Sequence, residues 1–229
     1  MRLDKYIGNN SELSRRQIQQ LARQSRLEVN GTVEKNTARL LQAGDSVTLD
    51  GELIQAAGAR YFMLHKPAGI VCANSDGNHP TVLDLLDEPQ KDRLQIAGRL
   101  DLDTTGLVLI TDDGQWNHRV TSPRRACRKR YRVQLAEAIS ETTPARFAEG
   151  VLLHGEEKPT LPAALTLLDS HSALLEIAEG RYHQVKRMFA AVGNRVTALH
   201  REAIGPIELD ALLTEGHYRA LSAAEIASI

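Results

Sequence analysis

The residues best suited to do chemistry lie between Gly98 and Gly114, GRLDLDTTGLVLITDDG, where a polar turn rich in Asp, Thr and Gly runs straight into an apolar, strand-like run. A tight loop fixed to a rigid strand aims a side chain with little freedom, so Asp101 or Asp103 could present one carboxylate as a nucleophile or a base. The same spacing suits an Asx turn or a loop cap, and on pattern alone that plainer role has the stronger claim. An Asp-x-Asp pair could also hold a hard cation, but no third oxygen ligand is suggested nearby, and no metal is expected.

Two further stretches place charge suggestively. Ser122 to Leu135, SPRRACRKRYRVQL, interleaves a basic cluster with Tyr131 at the entrance to a strand. Its cations could neutralise phosphates while the ring stacks on an unpaired base, or the segment could be a solvated loop with an ordinary strand tyrosine. Glu179 to Ala191, EGRYHQVKRMFAA, opens a helix after Gly180 with Val185, Met188 and Phe189 as its apolar stripe. Lys186 on that helix could pair with a buried carboxylate or simply face solvent. His183 has no evident metal partner and reads as structural. The chain lacks GxxxxGK(S/T), a GxGxxG after a strand, GxSxG and HExxH, which argues against nucleotide hydrolysis, dinucleotide chemistry, serine hydrolysis and zinc proteolysis.

The elements that must hold these residues follow from periodicity. Ser14 and Gln17 have capping-box spacing ahead of Ile18, Leu21 and Ala22, predicting a helix from about Arg15 to Gln24. Beyond it, alternation at Leu27 and Val29, turns at Asn30-Gly31 and Asp50-Gly51, and Val47 and Leu49 between them predict short hairpin strands. This gives an N-terminal domain over residues 1–53, a small-residue linker over 54–60, IQAAGAR with Ile54 at its head, and a second domain over 61–229. In the second domain YFMLHKP, GIVCA, LQIAG, LVLIT, YRVQL, ALTLL, ALLEIA and RVTALH read as strands. Helices are expected at about Thr81 to Leu86, Gln115 to Thr121, Thr142 to Glu149 and His183 to Val192, the last closed by Gly193. The fold class is therefore α+β on a largely antiparallel sheet.

With 229 residues and 42% hydrophobic content the chain can bury a sizeable core. No apolar run reaches membrane-spanning length and the start, MRLDKYIGNN, lacks a secretory pattern, so a cytoplasmic protein is expected. Cys72 and Cys127 are too few for a disulfide framework. A formal net charge of -1 hides an uneven distribution: Arg119, Arg124, Arg125, Arg128, Lys129, Arg130 and Arg132 have no acid among them, while Asp84, Asp87, Glu88 and Asp92 cluster elsewhere.

Taken in order, HKPAGIVCA, AGRLDLDTTGLVLITDDG and GRYHQVKRMF resemble the motifs of the RsuA family of pseudouridine synthases. RLDKYI, SRRQIQQLARQSRLEVNGTVEKN and GDSVTLDG resemble the S4-type RNA-binding module that commonly precedes that catalytic domain, so the likeness spans nearly the whole chain. Within the family the chain is most similar to the branch acting on small-subunit (16S) ribosomal RNA. The resemblance implies that Asp101 is the catalytic aspartate, Tyr131 the ring that stacks on the target base, and Lys186 the cation paired with Asp101. It implies a substrate pocket including Arg99, Thr104 and Leu199, and an RNA-binding surface including Arg2, Lys5, Arg15, Arg16, Arg124, Arg125, Arg128, Lys129 and Arg130. It also implies an isomerase without cofactor, working as a monomer on ribosomal RNA, free or within a small-subunit assembly intermediate. His65 stands where the family usually has Asn, and Lys186 where many members carry Arg. A non-catalytic RNA-binding assembly factor is the rival from another class, and a glycosidic hydrolase using Asp103 as second acid is a third reading.

Overall fold

Ser14 begins the second helix as its spacing predicts: its hydroxyl accepts from the Gln17 amide while the Gln17 side chain accepts from the Ser14 amide at 2.8 Å. The computed structural model describes residues 1–55, 58–122 and 127–229, which fold as two units, Met1–Ala59 and Arg60–Ile229. In the first, α1 (Leu3–Asn9) and α2 (Arg15–Arg23) accompany a sheet of strand order β2-β1-β3-β4. These strands are β1 (Leu27–Val29), β2 (Thr32–Val33), β3 (Val47–Leu49) and β4 (Glu52–Leu53). Asn30-Gly31 and Asp50-Gly51 take positive φ at both positions, the turn that matches the strands' own twist. Leu3, Ile7, Ile18, Ala22, Leu27, Val29 and Val47 make the core. Beside it the buried Asp4 accepts from Arg2 and Arg15, and the Arg2 guanidinium above all holds its carboxyl down at about 2.

The second unit is a mixed sheet of order β13-β5-β7-β11-β8-β10-β9, with β6 beside β7 and β12 beside β11. Its strands are β5 (Tyr61–Lys66), β6 (Gln95–Ala97), β7 (Thr105–Thr111), β8 (Lys129–Leu135), β9 (Ala164–Leu167), β10 (Ser172–Ile177), β11 (Val196–Ile204), β12 (Ile207–Glu208) and β13 (Tyr218–Ala220). Among these pairings only β7 with β11 is parallel. The helices are α3 (Gly114–Thr121), α4 (Thr143–Glu149), α5 (Gln184–Ala191) and α6 (Ala223–Ala227). β7 is buried on both faces, which is why LVLIT reads as an unbroken apolar run. Val108, Ile110, Tyr131, Val133, Leu175 and Phe189 belong to one core, and Met63, Leu107, Leu109, Trp116 and Ile204 to the other.

Two expectations need correction. Thr81 to Leu86 forms turns rather than a helix: Asp84 accepts from both the amide and hydroxyl of Thr81, closing the segment locally, and Val82, Leu83 and Leu86 all go to the core. GIVCA is not a strand; Val71 makes only an isolated bridge to Thr81. Within the expected linker the Ile54 amide bonds the Val47 carbonyl and Arg60 clamps Asp112 at 2.8 Å, while Ala56 and Ala57 lie outside the described residues. The short β12, β13 and α6 went unread, being too brief for a periodic signal.

Gly106 controls how closely β11 approaches β7. At φ +108, an ideal Cβ there would meet the backbone nitrogen of Arg201 at 2.6 Å and its carbonyl carbon at 2.9 Å. Gly106→Ala is expected to destabilise the fold by about 3 kcal/mol or more, from strain plus overpacking. Urea denaturation checks this, with Gly44→Ala, whose Cβ would meet nothing, as a control for the conformational term alone.

Candidate active site

The loop from Gly98 to Thr104 has most of its carbonyls committed. Arg201, buried on β11, donates from Nη2 to the Gly98 carbonyl at 2.7 Å and from Nη1 to the Arg99 carbonyl at 3.2 Å. Its Nε reaches the Leu107 carbonyl on β7 at 2.8 Å. From the other side the fully buried Lys66, at the end of β5, donates to the carbonyls of Pro67, Leu102 and Thr104 at 2.9, 3.2 and 2.7 Å. The Leu100 amide donates to Cys72 Sγ, the Gly69 amide to the Leu102 carbonyl, and the Thr104 amide to the Asp101 carbonyl. Burial pushes the Lys66 ammonium below its ordinary range and the Cys72 thiol above it. The loop is thus a clamped bracket, and Asp101 stands at its turn.

A cleft of about 740 Å³ opens where this loop, β8, β11 and the start of α5 meet, with Asp101, Tyr131, His183, Lys186, Leu199 and Arg201 among its walls. The Asp101 side chain is 30% exposed; its Oδ2 lies 3.5 Å from Lys186 Nζ and its Oδ1 lies 3.5 Å from His183 Nε2. Lys186 is closer to Asp103, at 2.6 Å, and this bond holds the Asp103 carboxyl below the usual carboxylate range. One ammonium therefore serves two carboxylates, as suits a point charge on a flexible stem. Tyr131 is almost buried: its hydroxyl accepts from Arg201 at 3.3 Å and its ring centroid lies 5.9 Å from the guanidinium carbon. Arg201 and Tyr131 face each other across the β8–β11 ladder, with Leu199 two residues along opposite Val133.

The structure brings Asp101, Tyr131, Lys186, Arg99, Thr104 and Leu199 to this one cleft. The expected RNA-contacting cations fare differently. Arg2 and Arg15 are bonded to Asp4, while Lys5 and Arg16 are exposed. Arg128 is exposed, whereas Arg130 is tied to Glu202 and Glu208, two acids supplied by β11 and β12 rather than by neighbours in sequence. Lys129 leaves the surface cluster: only 9% exposed, it lines the cleft with no hydrogen-bond partner among the described residues, and burial lowers its ammonium. Arg124 and Arg125 lie outside the described residues.

Sequence reasoning missed Lys66, Arg201 and the placement of His183. Arg201 had a signal, since in RVTALHREAIG it falls at strand period from Leu199, a charge on the face expected to be buried. His183 had none, because a left-handed residue (φ +47) ahead of α5 turns it to Asp101.

Residues 60–191 match the model of the RNA pseudouridylate synthase family and residues 1–47 that of the S4 domain. The chain belongs to the RNA pseudouridylate synthase family, as an isomerase preceded by an S4 RNA-binding domain. It is 52% identical to the ribosomal small subunit pseudouridine synthase A of Pasteurella multocida, over 100% of this chain and 99% of that one. It is 53% identical to the protein of the same name from Escherichia coli K12, over 100% of both. A crystal structure of a pseudouridylate synthase shares 49% identity over 100% of this chain and 99% of its own, with a TM-score of 0.73.

Arg201 is expected to act as a positioning residue. Arg201→Met takes the guanidinium donor from acceptors at Gly98, Arg99, Leu107 and Tyr131, the last two buried, and should cost about 3 kcal/mol or more in thermal or urea unfolding. Arg201→Lys, which restores the charge but not the fork, should stay folded while kcat falls by at least about tenfold with RNA affinity nearly unchanged.

Proposed function

We propose that this enzyme converts uridine to pseudouridine in small-subunit ribosomal RNA, with Asp101 as the working carboxylate. The observation that carries the reading is a part-exposed aspartate on a clamped loop, flanked by Lys186 and His183, in one cleft with Tyr131. The names of its relatives supply the substrate class.

The reaction breaks the bond from uracil N1 to the ribose, turns the base and rejoins it through C5, so it needs neither redox cofactor nor energy source. Asp101 acts at the ribose, as a nucleophile at C1′ or as a base at C2′. Lys186 keeps that carboxylate charged once a nucleotide displaces water from the cleft. Tyr131 stacks on the extruded base, offsetting part of the few kcal/mol that unstacking costs. A glycosidic hydrolase would need a second, protonated acid; Asp103, the candidate, is held ionised by Lys186.

Tritium release from RNA carrying 5-tritiated uridine tests the assignment: wild type releases it and forms pseudouridine, Asp101→Ala does neither, and free uracil as product would mean hydrolysis instead. Lys186→Met should lower single-turnover rate by about a hundredfold or more with RNA affinity within about threefold. Equal rates for this variant and wild type would remove Lys186 from the mechanism. Tyr131→Phe should retain most of the stacking effect and Tyr131→Ala lose it, about 1–3 kcal/mol in binding of the extruded base.

A further inference from the structure

We propose that His183 is a second catalytic residue, the base that removes the C5 proton after C5 has bonded to C1′; this rests on Asp101 lying against the ribose. Isomerisation leaves one proton to be moved. When N1–C1′ breaks, its electron pair stays with the uracil; when C5 bonds to C1′, that pair forms the new bond and C5 still carries its hydrogen. A base must take this proton, the C–H pair becoming the C5–C6 double bond while N1 regains a proton from solvent.

His183 stands where that proton appears. Its Nε2 is 3.5 Å from Asp101 Oδ1, and the C5 hydrogen is a near neighbour of C1′, against which Asp101 sits in this reading. The placement is built at a cost, since His183 holds φ +47 and ψ 36, left-handed backbone for a residue with a Cβ. Tyr182 stacks on the imidazole with centroids 3.8 Å apart and planes 19° apart, although the Tyr182 side chain is itself an exposed apolar ring, 76% accessible. No hydrogen bond to another described residue occupies either imidazole nitrogen, so a lone pair is available.

Lys129 also lines the cleft, but among the described residues only His183 and Lys186 stand within ion-pair distance of Asp101, and three further polar groups there are committed. Lys186 donates to Asp103 and is ion-paired with Asp101, Glu179 accepts from the Leu161 amide, Arg181 and Gln184, and the Tyr131 hydroxyl accepts from Arg201. Asp101 becomes a free carboxylate again at this stage, but carboxylates as a class are weaker bases than imidazole, which is matched to neutral pH.

The test is single-turnover kinetics of full-length His183→Asn and His183→Gln on RNA carrying 5-protiated or 5-deuterated uridine. Wild type should show little isotope effect if proton removal is fast. The variants should slow pseudouridine formation by about a hundredfold or more, show a primary isotope effect on 5-deuteration, keep wild-type RNA affinity, and regain rate with added imidazole. Variants as fast as wild type overturn the proposal. So do variants slowed with no isotope effect, which would mean that His183 only orients Asp101, and so does an isotope effect confined to Tyr131→Phe. Should Asp101→Ala remain active while the His183 variants behave as expected, the Asp101 reading fails and the assignment of His183 as the C5 base stands.

Discussion

Two buried cations bonded to backbone carbonyls hold this site together. Lys66 and Arg201 are almost wholly removed from solvent, and among the described residues neither has a carboxylate as a hydrogen-bond partner. Burying an unpaired charge is costly. What offsets it is a set of carbonyl dipoles, each of which would itself be costly to bury unbonded. The loop that carries Asp101 cannot fold into strand or helix, because its turn must project a carboxylate into the cleft. Its carbonyls therefore need donors from outside, and cations supply several donors from one atom or one fork.

The geometry of the sheet follows from this. Arg201 reaches the Gly98 and Arg99 carbonyls only because β11 runs beside β7, in the sheet's parallel pairing, with Gly106 allowing the two backbones to close up. The same guanidinium touches the Tyr131 hydroxyl across the β8–β11 ladder. One side chain thus ties the loop bearing the Asp101 carboxylate to the Tyr131 ring. A displacement of either is felt by the other, and pre-set distance between base and ribose is what a reaction that detaches and reattaches a base requires.

Much of this was legible in the sequence, and the division has a physical cause. β5, β7, β8, β10, α2 and α3 follow from alternation, continuous apolar runs and capping residues, all local signals. Asp101, Tyr131 and Lys186, which the structure brings to one cleft, were singled out through the order of three motifs. Lys66 and Arg201 were passed over because their partners are backbone carbonyls, which every residue has and no residue type announces. Arg130 was read as free because its acids, Glu202 and Glu208, come from β11 and β12. GIVCA looked like a strand since buried apolar residues alternate poorly in any irregular segment packed on a core, and Cys72 there serves the Leu100 amide instead of a ladder.

The lysine at position 186 then makes sense as part of a divided task. An arginine fork would bind one carboxylate in two fixed bonds, fixing both its charge and its direction. Here direction comes from the clamped loop, through Lys66 and Arg201, so the ammonium need only supply charge, and it can share that charge between Asp101 and Asp103. Asp103 in turn keeps Lys186 at the mouth of the cleft without occupying Asp101, whose other oxygen faces His183. Orientation is built into the backbone and charge into the side chains, and separating the two leaves the Asp101 carboxylate held in place with no side-chain hydrogen bond among the described residues, so that its oxygens remain open to the cleft.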